Sequence, residues 1–190
     1  MKIRRLEVRE AESLSDYMSA AVILDNTFGH LTHNASYFPG LIPSCEYVIL
    51  AVEVYETAAQ KSESVVGVYL LRKNDLRVNP RSVMASRRAA KYEDLRGIEG
   101  VALAVDRRHR GRGAGRMLRE YSLTMDFDYI WGMQFKSLNN LQNWTKSGRE
   151  LIYETGDAKN GASCTARMMP PKREVLPSEP EGAWTTLGEA

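Results

Sequence analysis

Val101-Ala102-Leu103-Ala104-Val105-Asp106-Arg107-Arg108-His109-Arg110-Gly111-Arg112-Gly113-Ala114-Gly115-Arg116-Met117-Leu118 is the stretch whose reading decides the fold. Its first five residues form a short apolar run between Gly100 and Asp106, the pattern of a buried central strand. From Gly113 onward, Ala114, Met117, Leu118, Tyr121 and Met125 recur at i, i+3, i+4, i+7 and i+11, which predicts a helix that lays one face on a sheet. Between the two lie glycines and arginines. A helix N-terminus exposes unpaired N–H groups and a partial positive charge, so it is an anion site when the chain before it leaves room. Gly111, Gly113 and Gly115 leave that room, and Arg110, Arg112 and Arg116 add cations, the guanidinium fork being well matched to phosphate. A ligand carrying a diphosphate is the direct inference.

Spacing separates the families that use such a loop. A Walker A loop ends in Gly-Lys-Ser/Thr, whereas Gly115 is followed by Arg116-Met117. The dinucleotide fingerprint places G-x-G-x-x-G near the start of its fold, whereas this G-x-G-x-G lies past the middle of the chain. A disordered Arg/Gly nucleic-acid segment, suggested by Arg107 to Arg112, is disfavoured by the strand on one side and the helix on the other. The pattern resembles that of the GNAT N-acetyltransferases, Arg/Gln-x-x-Gly-x-Gly/Ala, here Arg110 to Gly115 preceded by Leu103-Ala104-Val105-Asp106. The resemblance extends to Trp144-Thr145-Lys146-Ser147-Gly148, which looks like the family's Tyr-x-Lys-x-Gly segment, and it covers roughly residues 65–153.

That resemblance implies an α/β fold with a mixed, mostly antiparallel central sheet and flanking helices. It implies acetyl-CoA as acyl donor, with Leu103, Ala104 and Val105 pairing with the pantetheine arm as a pseudo-strand, and Arg110, Gly111, Arg112, Gly113, Ala114, Gly115 and Arg116 holding the pyrophosphate. The activity implied is transfer of an acetyl group to an amine acceptor by direct attack in a ternary complex. In the histone-acetyltransferase branch a glutamate at the position matching Glu99 is the general base. Glu99 lies six residues before Val105, and simple alternation gives it the same strand parity as Val101, Leu103 and Val105. Its other reading is a solvated charge at the strand end or one paired with a nearby arginine. The family's usual acid, a tyrosine, aligns with Trp144, whose indole cannot protonate a thiolate. Tyr153, Tyr121 or water could stand in, or thiolate release could need no dedicated acid; Tyr121 lies on the helix face expected to be core.

The remaining elements fit around this unit. Lys2 to Val8 suits a half-buried strand, and residues from Glu10 to about Leu24 suit a helix with Leu14, Tyr17, Met18, Ala21 and Val22 as its apolar stripe and Ser13 with Asp16 as its cap. Residues 28–44 hold too many breakers for a long element and read as an aromatic loop with room for a short helical turn. Tyr47 to Tyr55 and Val65 to Leu71 read as an antiparallel hairpin, followed by a basic segment, 74–97, with a short helix around Ser82 to Tyr92. Tyr129 to Phe135 reads as a strand and Asn139 to Ser147 as a helix ending at Gly148; Leu151 to Tyr153 and Ser163 to Met168 read as strands. Residues 1–168 form one domain and 169–190 a proline-rich tail.

Acceptor contacts are expected from residues 28–44, which could clasp a flat or apolar amine, and from residues 74–97. In the latter, Arg77, Arg81, Arg87, Arg88 and Lys91 could meet a nucleic acid or an acidic surface. This leaves two competing readings: an acyl-CoA-dependent modifier of a nucleic-acid or nucleotide amine, and a non-catalytic module that binds CoA or nucleic acid. With 190 residues, 43% of them hydrophobic and 26% charged, and a formal net charge of +2, the composition is that of an ordinary globular protein. The charged N-terminus and the lack of a long apolar stretch predict a cytoplasmic protein with no membrane segment. Cys45 and Cys164 read as free thiols, and His30 with His33 makes a poor metal site, so no metal is expected.

Overall fold

A computed structural model describes residues 3–32, 37–76, 83–135, 148–156 and 161–171. Seven strands form one sheet in the order β1-β2-β3-β4-β5-β7-β6. They are β1 (Ile3–Glu10), β2 (Tyr47–Glu56), β3 (Lys61–Lys73), β4 (Gly97–Val105), β5 (Tyr129–Phe135), β6 (Glu150–Thr155) and β7 (Ala162–Met168). Every neighbouring pair is antiparallel except β4 with β5. This is the mixed, mostly antiparallel sheet that the sequence led us to expect. The expected hairpin is β2 and β3, closed tightly by Thr57 N donating to Gln60 O at 2.8 Å.

Helices α1 (Leu14–Thr32), α2 (Tyr37–Leu41), α3 (Val83–Ala89) and α4 (Ala114–Ser122) flank the sheet. On one face α1 and α2 bury Ala20, Ile23, Leu24 and Phe38 against Val48, Leu50, Val68, Leu70 and Ala104. On the other, α4 buries Ala114 and Leu118 against Ile49, Ala51, Tyr69, Leu71, Ile98 and Ile130. A third cluster joins Ala89 and Tyr92 to Tyr129, Trp131, Ile152 and Cys164. No helix among the described residues is long and apolar enough to cross a membrane.

Two expectations are corrected. The described residues of 28–44 are helical: α1 runs on to Thr32, α2 takes Pro39 within its first turn, where a missing N–H costs nothing, and Ile42–Ser44 form a 3-10 turn. The stripe foreseen on α1 is also the wrong one. Leu14, Met18 and Val22 are 76%, 62% and 58% exposed, and Asp16, Ala20, Ile23 and Leu24 face inward. The cap sets this rotation. Ser13 and Asp16 form a reciprocal capping box, with Asp16 N donating to Ser13 Oγ and Ser13 N to Asp16 Oδ2, both at 3.2 Å. Arg9 on β1 grips the same carboxylate from both guanidinium ends, at 2.9 and 3.0 Å, which turns Asp16 toward the sheet and holds its pKa far below the ordinary range. The expected helix 139–147 with Trp144, as well as His33, Arg77 and Arg81 and most of the tail, lies outside the described residues.

Candidate active site

The parallel pair β4–β5 is joined at three positions only: Gly97 with Tyr129, Ile98 with Ile130 and Glu99 with Trp131. Beyond them β4 stays with β3 as far as Val105, while β5 stays with β7 as far as Phe135. The two strands therefore part into a wedge whose β4 side, among the described residues, is an unpaired strand edge, where an extended ligand can add as a further strand. This revises the expectation of a buried central strand: Val101, Ala102, Leu103 and Val105 are only partly buried, and among the described residues no strand pairs with that edge.

The wedge opens toward the glycine-rich loop. Asp106 N-caps the 3-10 turn Arg107–His109, accepting from Arg108 N at 2.8 Å, and the bonds from Arg108 push its carboxyl down to about 2. Gly111 (φ +77°) and Gly113 (φ +91°) are left-handed, a conformation that favours glycine. Gly113 N-caps α4 with no side-chain cap, and the first turn of α4 carries no acidic residue. The helix end thus keeps amide donors available to an external anion. Three arginines are tied to the protein in different ways. Arg110 Nε donates to Val105 O at 3.1 Å, fastening the loop to the end of β4; Arg116 pairs with Glu120 one turn on, at 3.3 Å; and Arg112 lies 3.6 Å from Glu53.

Glu53, on β2, is the residue behind the loop that sequence reasoning missed. Its buried carboxylate accepts from Arg4 Nε at 2.6 Å and from the Tyr55 hydroxyl, and lies 3.3 Å from His109 Nε2. The Arg4 bond is the main cause of its pKa falling to about 2. One carboxylate on β2 so clasps β1, the turn before the loop, and the loop itself. Its signal was a lone charge inside the apolar run Val48 to Val54.

Glu99 does not share a face with Leu103 and Val105. The β3–β4 register pairs Arg72 with Glu99 and Leu71 with Gly100, but Leu70 with Ala102, so Val101 is an extra residue, a β-bulge. The bulge reverses the alternation: Glu99, Ala102 and Ala104 face α1, while Leu103 and Val105 face α4. The Glu99 side chain is 12% exposed. Arg72 donates to its Oε2 from Nε at 3.0 Å and Nη2 at 2.7 Å, and Asn74 Nδ2 donates to the same oxygen at 2.9 Å. Tyr153 lies on the same face, its hydroxyl 3.7 Å from Met133 Sδ; burial, with the Cys164 thiol beside it, pushes the phenol up to about 12. Tyr121 packs into the α4 cluster.

The structure therefore sets the glycine-rich loop and the β4 edge beside one wedge and puts Glu99 and Tyr153 on the α1 face of the same sheet. Of the basic residues singled out in the segment 74–97, Arg88 donates to Leu151 O at 3.1 Å and Lys91 pairs with Glu150 at 2.6 Å, so both serve to hold β6; Arg87 is exposed. Among the described residues no group of three His, Cys, Asp or Glu side chains is placed to hold a metal ion.

This architecture is shared with known acetyltransferase structures. A putative acetyltransferase of the GNAT family from Desulfovibrio desulfuricans superposes with a TM-score of 0.62 at 9% identity, over 87% of this chain and 100% of that one. Ard1 from Thermoplasma volcanium gives a TM-score of 0.55 at 18% identity, over 87% of this chain and 98% of that one. A chain of the NatC complex bound to Gag peptide and CoA gives 0.57 at 11% identity, over 87% and 99%. The chain has the fold of the GNAT N-acetyltransferase superfamily. No family model and no curated protein matches its sequence.

Proposed function

We propose that this protein is an acetyl-CoA-dependent N-acetyltransferase that acts by direct transfer in a ternary complex. The observation that carries the reading is the alignment of the β4–β5 wedge with the uncapped N-terminus of α4. The pantetheine arm pairs with the free edge at Leu103, Ala104 and Val105, and the diphosphate rests on the amides of residues 111–116 among Arg110, Arg112 and Arg116. The thioester carbonyl is thereby brought to the wedge, where the acceptor amine approaches from the α1 face.

Glu99 takes a proton from the ammonium so that the neutral amine can attack. The nitrogen forms a bond to the acetyl carbon, the C–S bond breaks, and the leaving thiolate receives a proton from Tyr153, which its raised pKa keeps protonated at neutral pH; the proton the nitrogen sheds as the amide forms restores the Tyr153 hydroxyl, and Glu99 returns its own to solvent. Arg72 and Asn74 orient Glu99 through Oε2. An acetyl-CoA donor also fits the cytoplasmic location expected from the sequence.

A crystal structure with acetyl-CoA tests the donor half: a diphosphate lying away from the amides of 111–116 refutes it. Thiol release from acetyl-CoA over a mixed amine panel tests turnover, and its absence with every amine would leave only a CoA-binding module.

A further inference from the structure

Past the last β4–β5 pair, β5 carries two large apolar side chains into the wedge region. β5 pairs with β7 from Tyr129 to Phe135 without a register shift, so Trp131, Met133 and Phe135 share one face, and the pairing of Trp131 with Glu99 makes it the face of Glu99. Trp131 is buried in the cluster under α3, but Met133 is 39% exposed and Phe135 54%. Tyr153 stands against Met133 from β6. Across the wedge, Val101, Ala102 and Phe28 join the apolar cluster under α1, and Phe28 lies 6.2 Å from the ring of Phe38, which Tyr37 meets edge-on at 5.1 Å.

On this face of the sheet the apolar side chains of β5 and those under α1 thus flank the Glu99 carboxylate, which accepts from Arg72 and Asn74 through Oε2. Such flanks disfavour a polycationic acceptor, which needs several carboxylates, and they lower the pKa of a single amine held there, which favours the nucleophilic neutral form. Resting on the acyltransferase reading above, we propose that the acceptor is a small primary amine on an apolar or aromatic body. Its nitrogen points to Glu99 and its body lies on Met133 and Phe135, which set specificity.

The test uses the full chain with acetyl-CoA and four acceptors: 2-phenylethylamine, ethylamine, spermidine and a short peptide beginning with Met. Covering the two side chains with an aromatic body is worth roughly tenfold or more in kcat/KM. 2-Phenylethylamine should exceed the other three by about that factor. Met133→Ser and Phe135→Ser should each reduce the preference over ethylamine to about twofold, Phe135→Ser through KM and Met133→Ser through KM and kcat because its sulfur meets the Tyr153 hydroxyl, with the Kd for acetyl-CoA unchanged in both. Both side chains are exposed, so the variants keep the core. If ethylamine, spermidine or the peptide is used as well as 2-phenylethylamine, or if the preference survives both substitutions, the assignment is overturned and the acyltransferase reading stands. If acetyl-CoA does not bind, or binds and no amine releases thiol, that reading fails and the acceptor class falls with it.

Discussion

Gly132 lies so close to the carbonyl oxygen of Gly100 that a Cβ on Gly132 would stand 2.7 Å from it, at the apex where β4 and β5 part. The obstacle is backbone, held from behind by the β3 ladder, and β5 is held from behind by β7, so neither strand yields freely. Gly132→Ala should widen the apex at a cost of about 1–3 kcal/mol in stability and weaken acetyl-CoA binding by about tenfold. Urea denaturation and titration calorimetry measure the two. An unaltered Kd would show that the apex spacing does not position the donor.

The clasp at Glu53 ties stability to pH. A carboxyl whose folded pKa is depressed to about 2 stabilises the fold above its ordinary range, and that contribution is lost as pH falls through the folded value. The loss should therefore run from about pH 5 down toward 2. Glu53→Gln should be less stable at neutral pH by about 1–3 kcal/mol and flatter across that acid range. Because His109 and Arg112 meet the same carboxylate, the variant should also bind acetyl-CoA more weakly. Denaturation at several pH values against the parent protein decides this, and parallel curves would remove Glu53 from the acid transition.

Kinetics separate the proposed roles of Glu99 and Tyr153. Glu99→Gln removes the proton acceptor and should lower kcat by about a hundredfold near neutral pH, sparing the Kd for acetyl-CoA. Tyr153, held near 12, stays protonated through the usual assay range, so Tyr153→Phe should lower kcat by about tenfold or more without shifting an alkaline limb. A Tyr153→Phe enzyme with the parent kcat would mean that water protonates the thiolate.

How far these features could be read from the sequence depended on how local each one is. The strand, glycine loop and α4 were legible because each rests on neighbouring residues and on the steric needs of Gly111 and Gly113. The hairpin and the two short strands near the C-terminal end were legible from apolar runs. The bulge at Val101 was not, because a single extra residue leaves no mark in composition and yet moves Glu99 to the opposite face from Leu103. Glu53 was passed over since its partners Arg4, His109 and Arg112 come from three separate segments.

The rotation of α1 shows the same limit and can be tested directly. Apolar residues occur all around this helix, so periodicity alone offers two stripes, and the grip of Arg9 on Asp16 selects the one that carries Ala20, Ile23 and Leu24. Leu24→Ala should then cost about 2–5 kcal/mol, the usual effect of a cavity in a packed core. Met18→Ala, on the outer stripe, should stay within about 0.5 kcal/mol of the parent. Asp16→Asn weakens the pairing with Arg9 and part of the capping box, and should cost about 1–3 kcal/mol. Chemical denaturation of the three variants checks the order. A large loss at Met18 with a small one at Leu24 would place the helix in the register that periodicity first suggested, with the Arg9 pairing unable to hold it otherwise.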